Sequence, residues 1–224
     1  MLETLRQFAL QIAPELSAQP LYVVQQPAIY PQTTYASAYA LKFGCPIIRQ
    51  VVKEAGDWIG NGPAIVIIEE PADSRDLLAT IVHETAHLVP SKKLSEDREP
   101  TAAEMVGAFR MAERWAETPE IHQGPSGEPW GGAHGIDFIR RALHLHDRAL
   151  RHGHDVPFDS LGVAGHYYGL SWAGKYARAL GDEPERMRSL TFAEIEATDP
   201  PQAFARLFDE DVERWRTEHQ ATED

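Results

Sequence analysis

The chain has 224 residues, 43% hydrophobic and 25% charged, enough to bury a full core as one domain or one domain plus an appendage. Its formal net charge of −13 argues against nucleic acid as a partner, because non-specific binding there needs Lys and Arg to neutralise phosphates. The single cysteine, Cys45, excludes an internal disulfide framework, and no apolar run approaches the ~18 residues of a membrane span.

Met1-Leu2-Glu3-Thr4-Leu5-Arg6 lacks the basic start and apolar centre of a signal peptide, so a cytoplasmic location is expected. Residues 3–13 read as a helix stopped by Pro14. Leu21–Val24 and Tyr39–Phe43 read as strands, separated by a Tyr-, Pro- and Gln-rich loop over 25–37. Ile47 to Ala55 fits neither pattern cleanly. Ala64-Ile65-Val66-Ile67-Ile68 is β-branched and apolar throughout, the signature of a buried strand. From residue 73 the pattern turns helical. Asp73 or Ser74 can cap a helix whose apolar face is Leu77, Leu78, Ile81, Val82 and Leu88, with Pro90 just beyond its end. A second helix is expected from Thr101 and a third over 136–151. After Gly153 come a connector, a glycine-interrupted stretch over 161–180, a Thr191–Glu194 capping box and a last helix after Pro200-Pro201. These elements predict an α+β fold, with a small N-terminal sheet and a helical C-terminal part. The expected division is 1–155 as the main domain and 156–224 as a helical extension packed on it.

The mid-helix segment His83-Glu84-Thr85-Ala86-His87 matches HExxH. Residues four apart share one helix face, so two imidazoles there can bind one Zn²⁺. Glu84 then sits beside the ion without ligating it, placed to take a proton from the zinc-bound water. A catalytic zinc site wants a third protein ligand, and two residues compete. Glu104 suits a glutamate-type site, but Thr101-Ala102-Ala103-Glu104 is also a capping box, which gives that carboxylate a structural task. His134 lies between glycine-rich backbone and the start of the 136–151 helix, where the dipole favours the neutral, ligating imidazole.

HExxH followed by His134-Gly135 and Phe138 resembles the SprT-like zincin metallopeptidases. The resemblance covers roughly residues 60–150. It implies a zincin-like fold, Zn²⁺ on His83, His87 and His134, and Glu84 as catalytic base. The chain departs from that family in a longer span between His87 and His134 and in lacking a cysteine-based zinc ribbon. In the zincin arrangement an edge strand lines the cleft and can pair with extended substrate.

The expected activity is therefore zinc-dependent hydrolysis of a peptide or protein substrate, with Glu84 activating the attacking water. The alternatives are a zincin fold used only for binding or regulation, or a glutamate-type site completed by Glu104. His166, Tyr167 or Tyr168 can donate to the developing oxyanion, although core packing accounts for the same residues. Arg140, Arg141, Arg148 and Arg151 on one helix read as a solvated basic face. His144, His146, His152 and His154 read as histidines suited to a helix C-terminus.

Overall fold

The computed structural model describes residues 1–26, 38–41, 48–56, 58–68, 73–89, 135–158, 161 and 172–220. The expected helix from Thr101 and residues 27–37 of the loop expected over 25–37 lie outside them.

The chain opens with helix α1, Leu2–Ile12, whose buried positions Leu5, Phe8, Ala9 and Ile12 fall three and four apart on one face. A 3₁₀ turn at Pro14–Ala18 leads to strand β1, Tyr22–Gln25. Strand β2 is Ala38–Leu41 and β3 is Ala64–Ile67; between them Ile48–Glu54 forms helix α2, so the ambiguous segment is helical. Among the described residues the sheet has the order β1-β3-β2, with β3 parallel to β1 and antiparallel to β2. The β3 run is apolar throughout because both of its faces are covered. Ile65 and Ile67 join the main core with α1. Ala64 and Val66 face a second cluster with Ile48, Val51 and Val52 of α2. The approach to β3 requires glycine at position 62, where a Cβ would lie 1.7 Å from the Pro20 carbonyl oxygen.

Helix α3, Ser74–Leu88, is capped by Asp73, whose carboxylate accepts from the Arg75 backbone N–H at 2.8 Å. It ends where Val89 turns extended, φ −61° and ψ 131°, as a residue before proline prefers. Helix α4, Ile136–Arg151, packs against α3 and closes in a Schellman motif. Gly153 takes φ 82°, its N–H donates to Leu150, and the His154 N–H donates to Ala149. The remaining helices are α5 (Trp172–Leu180), α6 (Glu183–Arg186), α7 (Phe192–Glu196) and α8 (Gln202–Gln220). The capping box expected at Thr191 and Glu194 is present in full. One buried cluster runs from Leu5 of α1 to Phe204 of α8. The architecture is α+β, mostly helical. Among the described residues, no helix is long and apolar enough to cross a membrane.

The arginines of α4 are not the solvated basic face expected from the sequence. Arg140 is 1% exposed, and its guanidinium grips the Glu183 carboxylate through Nε at 2.8 Å and Nη2 at 2.9 Å. It also donates to the Thr198 carbonyl at 2.8 Å. Arg148 reaches Ile12 O, Glu15 and Leu190 O and lies over the Phe192 ring. Arg141 is mostly buried and faces Glu196 at 3.3 Å. All four therefore join α4 to its neighbours, since Arg151, though exposed, pairs with Glu185 of α6 as well as with Asp147 on its own helix, and they do not form a purely solvated face. The histidine reading changes for the same reason. His144 is buried against Glu183 at 2.9 Å, and His146 is buried with its Nε2–H donating to Val156 O at 2.7 Å. A helix surrounded by other elements on most sides has few solvent-facing positions, so its polar residues must find internal partners.

Candidate metal centre

His83, Glu84 and His87 occupy one stretch of α3, in the half nearer its C-terminus. The helical spacing sets His83 and His87 side by side, with their Nε2 atoms 3.2 Å apart. Two nitrogens held at about 2.0–2.1 Å by one tetrahedral ion sit roughly 3.3–3.4 Å from each other, so the pair is spaced as a divalent cation needs. The Glu84 Oε1 atom is 4.0 Å from His83 Nε2, and one ligand atom from each of the three residues falls within 4.8 Å of the others.

Backbone groups orient two of these side chains. The His83 Nδ1 atom lies 2.9 Å from the Leu161 carbonyl oxygen. A carbonyl only accepts, so Nδ1 carries the hydrogen, and in the neutral ring Nε2 presents its lone pair toward His87. The Glu84 carboxylate accepts from the Ala40 N–H of β2. That contact sets β2, an edge strand of the described sheet, beside the motif.

Burial dominates the electrostatics. It pushes the His83 imidazole down to about 4 against the opposing bond to Leu161, so the ring is neutral near pH 7, the form a metal requires. It pushes the Glu84 carboxyl up to about 8 against the Ala40 bond, so without a nearby positive charge the group holds its proton at neutral pH.

The ring of Phe138, 2% exposed on the first turn of α4, stacks on His87 at 4.3 Å and meets His83 edge-on at 5.0 Å. The sequence offered Phe138 as part of a motif without a task; here it walls the two imidazoles and ties the start of α4 to the site. The Leu161 carbonyl and the Ala40 N–H were not legible at all, since backbone groups leave no side-chain signal. His134 and Glu104 lie outside the described residues, as do His166, Tyr167 and Tyr168.

Thr85, inside the motif, is fully buried, and its Oγ1 has no hydrogen-bond partner among the described residues. A buried hydroxyl of this kind carries a desolvation cost that an apolar group of the same shape lacks. Thr85→Val is expected to leave metal uptake unchanged and to keep or raise the thermal midpoint, read by calorimetry. A clear drop in the midpoint would mean that the hydroxyl is bonded in solution.

Searches against protein-family models, curated proteins and solved structures find no match to this chain.

Proposed function

We propose that the chain is a zinc-dependent metallopeptidase of zincin-like fold, with His83, His87 and His134 as metal ligands and Glu84 as general base. The observation that carries the reading is the pair of Nε2 atoms 3.2 Å apart with a carboxylate beside them. Support for His134 over Glu104 comes from chain proximity. His134 precedes the N-cap of α4 by one residue, and Phe138, four residues on, already touches both imidazoles.

A bound divalent ion would polarise the scissile carbonyl, lower the pKa of the attacking water and favour the ionised form of Glu84. The chain's own residues divide the remaining work. Glu84, held by the Ala40 N–H, takes the proton of the attacking water and passes it to the leaving amine. The bond from His83 to Leu161 and the Phe138 ring keep the two imidazoles from turning away. In this reading β2 is the edge beside which an extended peptide would lie.

The test is hydrolysis of an unfolded protein substrate by the purified chain. Activity should disappear with a strong chelator and return with added zinc. Activity that is indifferent to the chelator would sink the reading. Zinc uptake with no hydrolysis of any peptide would favour the binding-module alternative.

A further inference from the structure

The stretch carrying Val156, Phe158 and Leu161 is pinned at two places. At its start, His146 of α4 donates to the Val156 carbonyl at 2.7 Å, and its ring stacks on Phe158 at 4.0 Å and 28°. At its end, Leu161 is fully buried, its N–H donates to the Phe158 carbonyl at 3.1 Å, and its own carbonyl accepts from His83 Nδ1. A buried histidine on one helix thus anchors the chain segment that orients a histidine on another.

We propose that this stretch is a positioning element of the metal centre. The Leu161 carbonyl sets the tautomer and ring angle of His83, and His146 holds Leu161 in place. The inference rests on the metal-site reading above and deepens it, because it assigns part of the C-terminal half of the chain to the site. His146 is a positioning residue and touches no metal ligand in this account. It stands two helical turns beyond Phe138 on α4, about 12 Å along the axis. Outer partners that orient a metal-bound histidine commonly change metal affinity by about 10–100-fold when removed.

The primary test is nitrogen-15 NMR of the His83 ring in the metal-free chain. The hydrogen is expected on Nδ1, and a ring protonated on Nε2 alone would overturn the proposal. The second test is zinc affinity by competition with a chromophoric chelator. His146→Leu, which removes the donor, should weaken zinc by about 10–100-fold. His146→Gln, which keeps an N–H for Val156, should recover most of the loss. Wild-type affinity in His146→Leu would overturn the role of His146; if that variant fails to fold, wild-type affinity in a folded His146→Ala would do so instead, and the NMR result decides the role of Leu161 in either case. If the wild-type chain takes up no zinc, the proposed function fails, while the tautomer measurement still decides whether Leu161 positions His83.

Discussion

Glu84→Gln is expected to lower peptide hydrolysis by about 10²–10⁴-fold, the usual worth of a positioned general base, while zinc content stays at the wild-type level. Glu84 does not ligate in this account, so removing its basicity leaves the imidazole pair intact. The substitution is gentle on the fold, since the Gln carbonyl can still accept from the Ala40 N–H that the carboxylate uses. Initial rates and zinc stoichiometry on the same preparation separate the two effects. Full activity in the variant would remove Glu84 from the mechanism, and loss of zinc together with activity would make it a ligand.

Glu183→Ala is expected to produce the largest loss of stability, about 3–5 kcal/mol, because it leaves Arg140 charged, buried and without its bidentate partner. That is a large share of the roughly 5–15 kcal/mol by which a domain is stable. Urea denaturation followed by circular dichroism measures it, and a change below ~1 kcal/mol would mean that water reaches Arg140. The same network predicts acid sensitivity. Burial by itself raises the Glu183 carboxyl, but bonds from His144 and Arg140 outweigh it and hold the group below the ordinary carboxylate value. A carboxyl depressed in the folded state adds stability above its unfolded pKa of about 4.3, and that stability is lost as pH falls through the folded value. The wild type should therefore weaken as pH drops below ~4.3, and Glu183→Ala should flatten that part of the profile.

Which features could be read from sequence follows from the range of the interactions that fix them. The α1 face, the β3 run, the Asp73 cap and the Thr191–Glu194 box are local patterns, and each appears within a residue or two of its expected place. The pairing of His83 with His87 is equally local, since helical spacing alone sets it. The central place of β3 was not legible, because it depends on pairing β1 with a strand some forty residues on. Arg140 and His144 were misread because their common partner, Glu183, sits on another helix, and nothing in α4 announces it. A charged residue on an amphipathic helix ordinarily faces water. Here the surrounding helices remove the water, and a distant carboxylate replaces it.

The central claim is a zinc centre on His83, His87 and His134, and the most direct measurement is metal content per chain after purification and zinc reconstitution. One tightly held zinc is expected in the wild type, in Glu84→Gln and in Glu104→Ala, and its loss in His83→Ala, His87→Ala and His134→Ala. Zinc lost with Glu104 and kept without His134 would move the third ligand to Glu104. A wild-type chain that holds no zinc would contradict the claim.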